Sequence, residues 1–285
     1  MASNIQWFPG HMAKAIRQFE ENVHLVDIIF ELVDSRAPFS SINPEVSKIG
    51  VNKPKLLIMT KADLADADKL KKWVNYFNNH GIPAMAIDSK NPKTRKIITK
   101  KAQEILADKR QLQSEKGLDK KAIKAICVGV PNVGKSTLLN QLVQKKSAAV
   151  GNRPGVTKGQ QWLTSSSELE LLDTPGILWP KFQNQDIAYK LAVTGAIKDS
   201  LLHMDDVALF ALKYFRENNQ EQLKQRYHLI DDDLLLSDVE LLLKITSKLG
   251  MKDDYDRASE RIIIDIRRNK LGGFVLDKVD DLDEG

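Results

Sequence analysis

The segment GVPNVGKS, Gly129 to Ser136, constrains the fold more than any other stretch of the chain. It fits the spacing G-x-x-x-x-G-K-S/T, with a strand-like run before it, AIKAICVGV (122–130), and a helix-like run after it, KSTLLNQLV. Strand, glycine loop and helix in that order gather backbone N–H groups and a helix N-terminus around one point, as an anionic phosphate requires. The loop amides, those of Val133 and Gly134 among them, are expected to surround a β-phosphate. Lys135 is expected to neutralise the β/γ oxygens, Ser136 to ligate Mg²⁺ and Thr137 to add a phosphate contact.

Two further segments complete such a site. DTPG, Asp173 to Gly176, ends a strand-like run, so Asp173 can hold Mg²⁺ through water and the Gly176 N–H can sense a γ-phosphate. Between loop and DTPG lies GNRPGVTKGQ, whose Thr157 is a candidate second hydroxyl ligand of Mg²⁺. TKAD, Thr60 to Asp63, follows the run KLLIM and resembles the guanine-reading N-K-x-D pattern with threonine in place of asparagine. The Asp63 carboxylate can accept the N1–H and N2–H₂ of guanine, whereas adenine would set a lone pair against it. Lys61 is expected to lay its stem over the base, with Ser89 on the other side.

The order along the chain is therefore base, phosphate, switch, where ordinary small GTPases run phosphate, switch, base. That order is a circular permutation, with SEKGLDKKA (114–122) as the splice. Strand-like runs alternate with helical ones (VDIIFELVD, KLLIMT and PAMAID before residue 90), which implies an α/β fold: a mostly parallel sheet with helices on both faces. NPKTRKIITKKAQEILADKRQLQSEKG reads as one long helix. After residue 185 the pattern turns helical. DDVALFALKYF carries a stripe of Val207, Phe210, Ala211, Tyr214 and Phe215, and SDVELLLKITSKLG opens on the capping pair Ser237 and Glu240. The expected division is a permuted GTPase domain at 1–185 and a smaller all-helical domain at 186–285, with the acidic DKVDDLDEG as a frayed end.

Charge is unevenly distributed. Lys90 to Lys124 holds 12 Lys/Arg against 4 Asp/Glu, net +8, while Asp186 to Gly285 holds 15 against 21, net −6. The first density suits phosphate backbones as well as a solvated helix face. Cys127, the lone cysteine, leaves no disulfide framework and no cysteine metal site, which fits a reducing cytosol. No stretch approaches the roughly 18 apolar residues of a membrane span. A cytoplasmic protein with no membrane partner is expected.

Taken in order, WFPGHMAKA (7–15), VDSRAP (33–38), TKAD, GVPNVGKST, RPGVTKGQQW and DTPGILWP resemble the ribosome biogenesis GTPase A family, over the whole chain. That resemblance implies a GTP-hydrolysing factor for late assembly of the bacterial large ribosomal subunit. It would bind the precursor and its rRNA in the GTP state and leave after ribosome-stimulated hydrolysis. Alternatives are a nucleotide-gated RNA-binding protein with incidental hydrolysis, and a permuted GTPase acting on another RNA. The slot after DTPG usually carries a glutamine that orients water, and here it is Ile177. The resemblance offers two substitutes: His11 of PGHM as a catalytic residue, and K⁺ bound through Asn132. Arg153 and Lys158 are alternative cations. His24, His80, His203 and His228 read as structural or surface residues. On the helical part the family's RNA contact points to Arg257, Arg261, Arg267, Arg268 and Lys270, with 90–124 sharing it.

Overall fold

All seven residues of Ile28–Asp34 are buried, as a strand covered on both faces requires. They form β1 at the interior of a six-stranded sheet in the computed structural model, which describes residues 5, 10–88, 91–116, 121–143, 161–166, 168–182 and 184–283. The other strands are β2 (Lys55–Thr60), β3 (Ala84–Ala86), β4 (Ile123–Gly129), β5 (Gln161–Ser166) and β6 (Leu169–Asp173). The order across the sheet is β3-β2-β1-β4-β6-β5, parallel except for the β5–β6 hairpin.

Period-two alternation sorts the strands between two helical layers. Ile28, Phe30 and Leu32 share a core with Ile98 and Ala102 of α4 (Thr94–Ile105) and with Leu138, Leu139 and Leu142 of α6 (Lys135–Leu142). On the opposite face, Ile29, Ile126 and Val128 meet Ala15 and Phe19 of α1 (Gly10–Asn22) and Val46 of α2 (Pro44–Ile49). Beside them, Leu57 and Met59 pack on Leu70, Trp73 and Phe77 of α3 (Ala67–Asn79). The helix expected over 91–117 is broken. It is interrupted at Leu106, which is buried, while α5 (Ala107–Glu115) has no buried residue and stays in water, so no packed face carries the helix through as one element.

The remaining elements are all helical: α7 (Gln185–Thr194), α8 (Met204–Asn218), α9 (Gln220–Tyr227), α10 (Asp238–Lys248), α11 (Tyr255–Arg267) and α12 (Asp280–Asp283). Ser237 and Glu240 form the expected capping box on α10. On α8, Val207, Ala211 and Phe215 are buried, while Phe210 stacks on Tyr189 and Tyr214 donates to the Val275 carbonyl.

The acidic end is not frayed over its described residues. Asp277 accepts hydrogen bonds from the backbone N–H of Phe39 (2.8 Å) and Ser40 (2.9 Å), and from the Ser40 hydroxyl. Val275 joins the core of Leu57, Met59 and Trp73. Charge density along the tail hid this, since the partners lie more than 200 residues away.

Candidate functional site

Parallel pairing puts the carboxyl ends of β1, β2, β4 and β6 at one end of the sheet, with Thr60 opposite Asp34, Gly129 opposite Leu32 and Asp173 opposite Cys127. Chain direction reverses its walk across the sheet between β1 and β4, where a crevice forms in α/β sheets. The glycine loop turns over that crevice through left-handed backbone at Asn132 (φ 57°) and Gly134 (φ 101°), and Gly134 caps α6. Such a bend turns successive amides inward as an anion nest.

TKAD is fastened to this loop. The Thr60 hydroxyl donates to the Val133 carbonyl, and the Lys61 ammonium donates to the Asn132 carbonyl (2.6 Å). The threonine that departs from the N-K-x-D pattern therefore supplies the bond between base segment and phosphate loop itself. Lys61 is left-handed (φ 58°) and leads into a 3₁₀ turn, Ala62–Leu64, on which Asp63 is exposed. The Ala62 N–H donates to the Ile87 carbonyl (3.2 Å), which holds the segment leading toward Ser89 beside TKAD; Ser89 itself lies outside the described residues.

On the switch side, the ammonium of Lys135 pairs with Asp173 Oδ1, both residues being buried. Asp173 Oδ2 has no hydrogen-bond partner among the described residues. Gly176 seats DTPG against the loop: a Cβ there would lie 2.9 Å from Pro131 Cα. Ser136 and Thr137 occupy the first turn of α6, the former half-buried and the latter exposed. Thr157, Arg153 and Lys158 lie outside the described residues.

Ile177 turns away from this cleft. Its side chain is fully buried with Phe19, Ile126, Val128 and Leu172, and its peptide is held by the Gly129 carbonyl and the Asn43 amide (both 3.0 Å). His11 is exposed on the first turn of α1, the helix whose Ala15 and Phe19 share that cluster with Ile177. His80 contacts Tyr76, and His228 ends α9 in left-handed backbone.

Sequence reasoning passed over Asp34 and Arg36 as site residues, although VDSRAP places a carboxylate and a guanidinium at the carboxyl end of a mostly apolar strand. Arg36 grips Asp34 through two donors (2.8 and 2.7 Å), and Lys61 reaches the same carboxylate at 2.9 Å. Burial would raise the Asp34 carboxyl, but Arg36 and Lys61 hold it well below the usual carboxylate range. Burial pushes the Lys61 ammonium below the ordinary lysine range despite Asp34. The Asn132 amide is committed as well, donating to the Gly195 carbonyl at the end of α7 (2.8 Å).

The cations expected as a patch on the helical part are mostly spent inside it. Arg267 pairs with Asp199 and caps the Ala192 and Val193 carbonyls, while Arg226, Arg261 and Lys270 converge on the buried Asp265. By contrast Lys93, Lys96, Lys100, Lys116 and Lys121 are exposed between residues 90 and 124. An anion nest joined to a carboxylate-bearing turn can take a molecule with phosphates at one end and a hydrogen-bonding ring at the other.

Comparison with known proteins agrees. Residues 124–248 match a family described as 50S ribosome-binding GTPase. The chain is 49% identical over 281 residues to ribosome biogenesis GTPase A of Priestia megaterium, covering 96% of each chain. It is 46% identical to the protein of that name from Bacillus licheniformis, over 98% of this chain and 99% of the relative. Among solved structures, a GDP-bound YlqF aligns with TM-score 0.66 and 25% identity, over 93% of this chain and 100% of that one. A GNP-bound YlqF from T. maritima aligns with TM-score 0.63 and 26% identity, over 93% and 98%.

Proposed function

The chain belongs to the ribosome biogenesis GTPase A family, and on that premise we propose that it hydrolyses GTP as an assembly factor of the large ribosomal subunit. One observation supports the reading: hydrogen bonds from Thr60 to Val133 and from Lys61 to Asn132 tie the TKAD segment to the 129–136 loop, as two walls of one cleft would need. Asp63 and Lys61, with Ser89, would bind guanine. The amides of Val133, Gly134, Lys135, Ser136 and Thr137 would hold the phosphates, with Gly176 at the γ-phosphate.

Mg²⁺ suits the far wall, because Asp173 Oδ2 is a buried carboxylate oxygen without a partner among the described residues and Ser136 lies in the facing turn. Ser136, Asp173 and Thr157 would hold the ion, which neutralises charge on the β/γ oxygens. Lys135 adds a fixed positive charge to the same oxygens. Since Ile177 is buried, water must be positioned by another group. His11, exposed on α1 beside the switch cluster, is the residue we assign to that task, with K⁺ at Asn132 as an added positive charge.

We assign residues 1–185 to the permuted GTPase unit and 186–285 to a helical unit that meets the ribosome. The exposed lysines of the 90–124 segment are the main surface for rRNA of the subunit precursor, since the helical unit's arginines are largely paired internally. No helix among the described residues is long and apolar enough to cross a membrane, and the cytoplasm is where such a factor would work.

The test is single-turnover GTP hydrolysis with and without large subunits, in K⁺ and then in Na⁺. Slow turnover alone, faster with subunits and faster in K⁺, supports the reading. Absence of stimulation by subunits would favour nucleotide-gated RNA binding with incidental hydrolysis, and failure to pellet with ribosomal particles would favour another RNA.

A further inference from the structure

We infer that Asp34 and Arg36 form a positioning pair for guanine binding: Arg36 fixes the Asp34 carboxylate, and Asp34 fixes the Lys61 ammonium so that its stem lies where the base must sit. The inference rests on the reading of the cleft as a guanine-nucleotide site.

The geometry separates this role from a purely structural one. Arg36 and Asp34 already satisfy each other in a two-point grip, with Arg36 further bonded to the Thr194 carbonyl (3.0 Å) and set 5.8 Å from the Phe274 ring. The C-terminal segment meets this point through the Phe274 ring and through the Arg36 carbonyl, which accepts from the Leu276 N–H (2.7 Å) and needs no guanidinium. Packing alone therefore has no need of a second cation. Lys61 is brought in nonetheless, against the cost of burial and against repulsion from Arg36. Its ammonium is fastened at two points, the Asp34 carboxylate and the Asn132 carbonyl, with the backbone held left-handed.

A lysine so tethered presents a fixed methylene stem along the crevice floor, where a free lysine would sample many rotamers. The rotamer entropy is lost on folding and not on binding, which is how preorganisation gains affinity. Arg36 suits the task because its planar fork fixes a carboxylate in orientation as well as position, which a lysine cannot do.

The experiment measures dissociation constants of full-length variants for GDP and for inorganic tripolyphosphate by calorimetry. Asp34→Asn and Arg36→Lys should weaken GDP about tenfold or more, as loss of a charge-assisted tether does, while tripolyphosphate changes less than about twofold because Thr60 still bonds Val133. Asp34→Glu, which keeps the charge and displaces it by one methylene, provides a variant that is safer for folding and should show the same selective loss. In a Lys61→Met background, Asp34→Asn should cost GDP nothing further. GDP affinity unchanged in folded variants, equal losses for both ligands, or a full Asp34→Asn effect without Lys61 would each overturn the inference. Failure of the unmodified protein to bind GDP would instead overturn the guanine-site reading beneath it.

Discussion

The hydroxyl of Thr60 donates to the carbonyl of Val133, so a residue that ends β2 and a residue of the loop after β4 are hydrogen-bonded across 73 positions of chain. That bond joins the two recognition elements independently of the order in which the chain delivers them. Permuting the sequence changes which loops connect the strands, but the carboxyl edge of the parallel sheet still presents the same neighbours.

Replacing Ile177 by glutamine is expected to restore no catalysis. The side chain lies in the core under α1, so Ile177→Gln buries an amide without a partner and should destabilise the fold by about 1–3 kcal/mol. Thermal unfolding and single-turnover hydrolysis of the variant check both halves of this expectation: a lower melting temperature, and turnover no faster than before.

His11 is exposed on α1, and the proposed role has it act on the attacking water from there. His11→Ala should lower subunit-stimulated hydrolysis about 100-fold or more, the usual worth of a positioned acid-base group, and leave GTP affinity within about twofold. Stopped-flow hydrolysis alongside calorimetry measures the split; a variant with normal stimulated turnover would remove His11 from the mechanism.

Acid stability should reveal Asp34. Its carboxyl lies below the ordinary 3.8 in the folded protein, so the folded state binds fewer protons than the unfolded one. The stabilisation it supplies is present in full above 3.8 and is lost as pH falls from there toward the folded value. Denaturant unfolding between pH 6 and pH 2, followed for the native chain and for Asp34→Asn, should show a shallower decline in the variant across the acidic part of that range.

Binding to large subunits should depend on salt through α4. Lys96 and Lys100 are exposed one helical turn apart, and each phosphate contact contributes about 0.7–0.9 to the slope of log affinity against log salt. Lys96→Ala with Lys100→Ala should therefore reduce that slope by about 1.4–1.8. Pelleting at a series of KCl concentrations measures it, and an unchanged slope would move the RNA surface elsewhere.

Much of the site was legible because its signals are local. The loop Gly129 to Ser136 announces itself by spacing, and outside the site Ser237 with Glu240 does so by a three-residue interval. The unread parts depend on distance. Nothing near Arg36 in sequence tells that Thr194 and Phe274 surround it, and nothing near Asp277 tells that Phe39 and Ser40 bond to it. Periodicity carried the helix through Leu106, since a side chain burying itself at a break has the same spacing as one within a helix. Arg267 looked like a surface cation by composition, yet it closes the end of α7, where free carbonyls draw donors.

The central claim, one cleft built by Asp63 and Lys61 on one wall and the 129–136 loop on the other, is tested most directly by competition calorimetry. The account predicts that GTP binds, that excess ATP does not displace it, and that Asp63→Asn lowers GTP affinity by about 100-fold while tripolyphosphate binding persists. Displacement of GTP by equimolar ATP, or an Asp63→Asn variant that binds GTP as tightly as the unaltered chain, would contradict it.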